Sequence, residues 1–256
     1  MTKIIAITNQ KGGVGKTTTA INLSACLAEK GKRVLTIDMD PQGNTTSGLG
    51  IDKSTVEHTS YQLLTNETTI WEAMTPSIVP GLSVIASERS LAGAEIELIG
   101  VEDREFILKK EVDKVRDNYD FVIIDCPPSL NTLTVNAMTT ADTVLVPIQC
   151  EYYALEGLSE LIYTIELVKE RLNNKLEIEG VVFTMYDART CLSLQVVENV
   201  KQNLHQNIYK TIIPRNVRLA EAPSHGLPIN LYDPRSSGAE SYDLLAEEVI
   251  ENGGEN

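Results

Sequence analysis

The chain predicts a doubly wound α/β fold, with a mainly parallel sheet carrying helices on both faces. Three observations support that expectation. Short β-branched, near-continuously apolar runs recur along the sequence, as strands buried on both sides require. Stretches with helical spacing separate them, and alternating β and α elements build a layered parallel sheet. No repeat, low-complexity tract or long linker interrupts this rhythm, so residues 1–256 are expected to form one domain.

The elements follow in order. KIIAITN at 3–9, RVLTIDMD at 33–40, LSVIA at 82–86, YDFVIID at 119–125, TVLVPI at 143–148, GVVFTM at 180–185 and YKTII at 209–213 read as strands. Between the first two, residues 16–30 place Ala20, Leu23 and Leu27 at helical spacing and stop at Gly31. Further helices are expected over about 104–117, 155–172, 191–206 and 238–251. Residues 50–80, punctuated by Pro76 and Pro80, are less regular and should add short helices at one edge.

Bulk properties narrow the classes. No apolar run approaches the ~18–20 residues that span a bilayer, and the stretch from Ile4 to Ile7 is too short for a signal peptide. Cys26, Cys126, Cys150 and Cys191 lie far apart with no C-x-x-C pair. They read as reduced, mostly buried thiols rather than a disulfide frame or zinc site. A net charge of −14 weighs against a nucleic-acid partner for the chain as a whole.

The segment NQKGGVGKTTT follows the first strand and opens the first helix, the setting of a phosphate-binding loop. The usual pattern would place glycine at Gln10. Backbone N–H groups along Gly12, Gly13, Val14 and Gly15 are expected to surround phosphate oxygens, helped by the positive end of the helix. Lys16 is expected at the β- and γ-phosphates, Thr17 on Mg²⁺ and Thr18 at the α-phosphate. A plain glycine-rich turn would not need the G-K-T-T that follows. The second lysine, Lys11, has no role in a loop serving only its own nucleotide.

This loop resembles that of the ParA/MinD family of deviant Walker A ATPases, and the resemblance covers essentially the whole chain. It implies that Lys11 crosses a nucleotide-sandwich homodimer to touch the phosphates held by the partner subunit. Two ammonium groups of one chain on one triphosphate would repel each other, whereas one from each subunit joins the pair through ATP. LTIDMDPQGNTT resembles the family's switch I. Carried over, Asp40 orients the attacking water, and Asp38 supports either Mg²⁺ or that water; a strand-end aspartate capping a turn stays open for Asp38. FVIIDCPPSL has the shape of a Walker B strand, so Asp125 is expected to hold Mg²⁺ through water. Cys126 reads as a buried thiol, and Pro127 and Pro128 stiffen the segment that follows. No residue stands out as an arginine finger, so a slow Mg²⁺-dependent ATPase is expected.

From Ala188 to Ala220 the charges are Arg189, Lys201, Lys210, Arg215 and Arg218 against Glu198 alone. Five positive residues against one acid make a local +4, as a phosphate-backbone footprint or a solvated helix face would give. MYDARTCLS and IPRNVRLAEAPSHGLPI resemble the chromosomal ParA (Soj-type) branch. The resemblance implies sequence-independent DNA binding through Arg189 and Arg218, with Pro214 and Asn216 against adenine. Because the first strand starts at Lys3, no helix-turn-helix is expected before the loop. MinD-type relatives end in a basic amphipathic helix, but Ala239 to Asn256 carries Glu240, Asp243, Glu247, Glu248, Glu251 and Glu255 with no lysine or arginine. Anionic lipid would repel such a helix. Tyr242, Leu245 and Val249 are expected to pack it on the sheet. Cys126 and Cys150 lack the spacing of iron–sulfur relatives, and no acceptor motif suggests a metabolic kinase.

The expected protein is therefore a cytoplasmic, nucleoid-associated partition ATPase. It would dimerise around ATP, bind DNA without sequence preference, avoid membranes, and be released when a ParB-type partner triggers hydrolysis. The alternative is a MinD-type membrane-cycling ATPase.

Overall fold

A computed structural model describes residues 2–151, 154–204 and 206–252. Among them the strands are β1 Lys3–Ile7, β2 Val34–Asp38, β3 Met74–Pro76, β4 Leu82–Ile85, β5 Phe121–Asp125, β6 Thr143–Gln149, β7 Glu177–Tyr186 and β8 Ile208–Pro214. They form one sheet in the order β3-β4-β2-β5-β1-β6-β7-β8. Every pairing is parallel except β3 with β4.

The helices are α1 Lys16–Glu29, α2 Asn44–Gly48, α3 Ser60–Leu64, α4 Ile70–Ala73, α5 Leu91–Glu97, α6 Ile107–Val112, α7 Thr132–Thr140, α8 Ala154–Arg171, α9 Cys191–Asn203, α10 Val217–Glu221, α11 Ile229–Tyr232 and α12 Ser237–Asn252. Alternation along the strands feeds two cores. Ile4 and Ala6 of β1 enter a layer with α6, α7, α8 and α9. Ile5 and Ile7 enter the opposite layer with α1 and α12. Burying both sheet faces demands apolar side chains at successive positions, which is why the strands read as continuous runs.

Several boundaries differ from the sequence expectation. β1, β2 and β4 stop one or two residues early, at Ile7, Asp38 and Ile85, where the chain turns off the sheet into loops. The helix expected over 104–117 is a short α6 flanked by 3₁₀ turns at Arg104–Phe106 and Arg116–Asn118. The predicted end of α9 near 206 runs past residue 205, which lies outside the described residues, as does Glu255 of the tail. β3 and α7 were not expected. α7 is threonine-rich and a poor helix former by propensity. Its N-terminus is capped by Asn131, which accepts from the Thr134 N–H, and the buried Thr140 hydroxyl donates back to the Asn136 carbonyl. Burial of Leu133, Ala137 and Met138 supplies the stabilisation that propensity withholds.

Register then places the chemistry. Asp38 ends β2 directly beside Asp125, which ends β5, while Ile7 of β1 pairs with Asp125 on the other side. After β5 the chain crosses over β1 to add β6 on its far side. The loop after β1 thus sits at a switch point, where parallel sheets bind ligands beyond their carboxyl ends.

Candidate functional site

Two adjoining cavities lie at this edge. The first, about 320 Å³, is lined by Gly12, Gly13, Lys16, Thr17, Asp40 and Pro128, among others. The second, about 360 Å³, is largely apolar and includes Ile213, Pro214, Asn216, Leu219 and Tyr242. Gly15, Thr18 and Met185 line both. Their linings suit a charged phosphate chain in the first and an apolar-faced base in the second.

The loop that separates them is fixed by its backbone. Gly15 starts α1 at φ 89°, a left-handed conformation that a side chain would strain. The Thr184 hydroxyl donates to the Val14 carbonyl, and Val14 is buried, which anchors the middle of the loop. Lys16 is buried and its Nζ donates to the Lys11 carbonyl at 3.1 Å, curling the loop around its own ammonium. Burial holds that ammonium below the ordinary lysine value, opposed by Asp125, Cys126 and Asp40.

Asp125 is fully buried. Its Oδ2 accepts from the Thr17 hydroxyl at 2.9 Å and the Thr45 hydroxyl at 2.7 Å, while Oδ1 has no partner. Burial, then the charge of Asp38, pushes this carboxyl well above the usual range. An orphaned carboxylate oxygen beside a threonine hydroxyl suits a hard cation such as Mg²⁺ with water between, since such ions favour oxygen ligands. Among the described residues no group of three histidine, cysteine, aspartate or glutamate side chains is arranged to hold a metal ion by itself. Most ligands of a cation here would therefore be phosphate and water oxygens.

Asp38, expected to support Mg²⁺ or the attacking water unless it only caps a turn, is held by the segment that follows it. Its Oδ1 accepts from the Asp40 N–H at 3.1 Å, and its Oδ2 from the Thr46 N–H and hydroxyl at 2.8 and 2.7 Å. Both oxygens are engaged in folding the segment after β2, which is the turn-capping alternative. Burial raises the Asp38 carboxyl as well. Asp40 lines the phosphate-side cavity, and its Oδ1 accepts from the Gln42 N–H. Cys26, Cys126 and Cys150 are buried, whereas Cys191 is exposed; all four are free thiols.

Lys11 does not line either cavity. Its side chain is 43% exposed and its Nζ is paired with Glu151. Pro214 and Asn216 line the base-side cavity, where Asn216 is held by donating to Ser237 Oγ and by accepting from the Arg218 N–H. Tyr242 closes that cavity from α12 and hydrogen-bonds Thr19 of α1.

The basic segment is less positive than its window suggested. Arg189 makes a two-pronged pair with Asp187 at 2.7 and 2.8 Å, and holds that carboxyl down at about 2. Arg218 pairs with Glu221 at 2.8 Å and with Asp233 at 3.5 Å. Asp187 and Glu221 lie one residue outside the 188–220 window, so 187–221 holds five positive residues against three acids. Tyr186 pairs in register with Pro214, which sets the loops bearing Arg189 and Arg215 side by side. Lys201 sits about 15 Å along α9 from that loop at 1.5 Å per residue, apart from the arginines. Thr45, Thr46, Met185 and Glu151 were missed in the sequence. For the two threonines the signal was the hydroxyl pair directly after the switch-like turn; Met185 carried none.

A glycine-rich strand-to-helix loop, a buried carboxylate beside the helix's first threonine and a base-sized apolar cavity define a P-loop nucleotide-binding protein. A family model described as an AAA domain matches residues 2–178. The chain is 59% identical over 253 residues to the sporulation initiation inhibitor protein Soj of Bacillus subtilis (strain 168), covering 99% of this chain and 100% of that one. It is 51% identical over 248 residues to the chromosome partitioning protein ParA of Myxococcus xanthus, covering 97% and 88%. The solved cobyrinic acid a,c-diamide synthase of Mycobacterium smegmatis with bound ATP analog and magnesium matches at TM-score 0.88 and 34% identity, over 100% of this chain and 97% of that one. The chain belongs to the ParA/MinD family of deviant Walker A ATPases, on its chromosomal ParA (Soj-type) branch.

Proposed function

We propose that residues 1–256 form a single ATPase domain that dimerises around Mg²⁺-ATP, binds DNA without sequence preference and acts in DNA partition. A ParB-type partner would release it by speeding hydrolysis. The observation that carries this reading is the position of Lys11. Lys16 already occupies the phosphate end of its own loop, while Lys11 points off it onto Glu151 at the surface. A half-exposed ammonium outside its own phosphate-side cavity supports the reading that it serves a second molecule's nucleotide. The names of the curated relatives support a partition role, and the ATP analog and magnesium of the Mycobacterium smegmatis structure support the ligand.

In hydrolysis Lys16 would neutralise charge developing on the phosphates, and Asp40 would orient the attacking water in line with them. Thr17 and Asp125 would hold Mg²⁺, which supplies charge neutralisation between the phosphates. Catalysis by positioning and charge alone agrees with a slow timer.

The membrane-cycling alternative would need an amphipathic helix whose apolar face is free to lie on lipid. Tyr242, Leu245 and Val249 of α12 are buried against the sheet, so its apolar face is used internally. DNA binding measured from low to high salt, with Mg²⁺-ATP and with ADP, tests the proposal beside sedimentation with anionic vesicles. Binding that needs ATP, ignores sequence and falls steeply with salt is expected. Equal binding with ADP, or ATP-dependent capture by vesicles instead of DNA, would overturn it.

A further inference from the structure

The segment that delivers Asp40 to the phosphate-side cavity is gripped from two other parts of the chain. Ser87, fully buried just beyond β4, donates its hydroxyl to the Asp40 carbonyl at 2.7 Å. The Ser87 N–H donates to the Thr46 hydroxyl at 2.8 Å, and Thr46 in turn binds Asp38. On the other side, Lys53 Nζ donates to the Gln42 carbonyl at 2.7 Å, and among the described residues it pairs with no carboxylate. A charge-assisted bond of this kind is stronger than a neutral one, and here it is aimed at the backbone.

Between the two grips stands Gly43, with φ 62°. A Cβ there would lie 2.4 Å from the Ser87 carbonyl oxygen and 2.7 Å from Lys53 Cε and Nζ. The turn therefore closes directly onto both residues. Inside it, the Gly43 N–H donates to the Asp40 carbonyl at 2.9 Å, and the Gln42 N–H to Asp40 Oδ1 at 2.9 Å. The Asp40 backbone and carboxylate are thus held from several directions by the chain itself.

We infer that Lys53 and Ser87 are positioning residues for hydrolysis: their grips on the Gln42 and Asp40 carbonyls hold residues 40–43 so that the Asp40 carboxylate faces the phosphates. The inference deepens the proposed function and rests on Asp40 orienting the attacking water. A group that orients water loses its effect with small displacements, since catalysis of this kind is geometric. Neither residue lines the phosphate-side or the base-side cavity. Their removal should lower turnover without weakening ATP.

The test compares Lys53→Met, which keeps the stem and drops the donors, with Lys53→Arg, Ser87→Ala and the Lys53→Met/Ser87→Ala double variant. Turnover, affinity for a non-hydrolysable ATP analogue, Tm and amide exchange at Gly43 are read for each. For Lys53→Met and Ser87→Ala the expected result is a fall in kcat of about tenfold, with analogue affinity and Tm unchanged and Gly43 exchange faster. Lys53→Arg should recover most of the rate. Unchanged kcat in the double variant would overturn the inference. So would parallel losses of Tm and analogue affinity that Lys53→Arg does not rescue. Asp40→Ala is measured alongside to separate the two levels. If Asp40→Ala turns over normally, the proposed role of Asp40 fails and the inference with it. If Asp40→Ala is inactive while the double variant is normal, only the positioning role of Lys53 and Ser87 fails.

Discussion

The phosphate end and the arginine surface are held together in different ways. Around Asp125 the partners come from segments far apart in the chain: Thr17 from α1 and Thr45 from α2 converge on one buried carboxylate. Around Arg189 and Arg218 the main partners are two and three residues away, Asp187 and Glu221, and all four side chains are partly or largely exposed. The first arrangement is built from the fold itself. The second consists of exposed ion pairs, which contribute little to stability and exchange partners readily. One region is locked by buried contacts between distant segments; the other is a set of exposed arginines with near, replaceable carboxylate partners, as the proposed DNA contact would require.

The largest effect should come from breaking the rigid side. Lys16→Ala removes the buried ammonium at the phosphate-side cavity, and nucleotide affinity should fall by ~100-fold or more, measured by fluorescence of a labelled nucleotide. Next, Arg189→Glu combined with Arg218→Glu should weaken DNA binding by about tenfold or more at moderate salt and flatten its salt dependence. Nucleotide affinity should be untouched, because neither side chain lines the phosphate-side or the base-side cavity. Unchanged DNA affinity in that variant would dissolve the contrast between the two regions.

A smaller effect sharpens it. Asp187→Asn frees Arg189 from its neighbour, and DNA affinity should rise a few-fold, within the modest range of exposed pairs. A loss of affinity instead would mean that Asp187 shapes the loop rather than competing with phosphate. The smallest effect concerns pH. Burial, with the charge of Asp38 beside it, raises the Asp125 carboxyl above its unfolded value. Between the unfolded and the folded value the folded state binds more protons, and stability falls as pH rises. The Tm of the nucleotide-free protein relative to Asp125→Asn should therefore decline from about pH 5 to about pH 8. A relative Tm that rises with pH would show the carboxylate to be stabilised in its charged form.

The same contrast explains what the sequence revealed. The strands were legible because burial on both faces leaves long apolar runs, and the loop because Gly13, Gly15, Lys16 and Thr17 combine conformational and chemical demands that few other uses share. β3 was too short and too polar to announce itself, and α7 hid behind threonines whose hydroxyls are satisfied internally. Charge counting over 188–220 overstated the surface, since the neutralising Asp187 and Glu221 sit just beyond the window. Asp38 could not be assigned by pattern alone; only the two hydrogen bonds from Thr46 and the one from the Asp40 N–H show that its oxygens fold a turn. Lys53 and Ser87 act on backbone carbonyls, which leaves no trace in residue spacing.

The central claim is that Lys11 joins two protomers through bound nucleotide. Analytical ultracentrifugation of the wild type and Lys11→Ala, each with Mg²⁺ and a non-hydrolysable ATP analogue, tests it most directly. The account predicts that the wild type sediments at twice its 28.2 kDa with the analogue and at 28.2 kDa with ADP. Lys11→Ala should bind the analogue yet stay monomeric. A wild type that remains monomeric with the analogue, or a Lys11→Ala protein that pairs as well as the wild type, would contradict it.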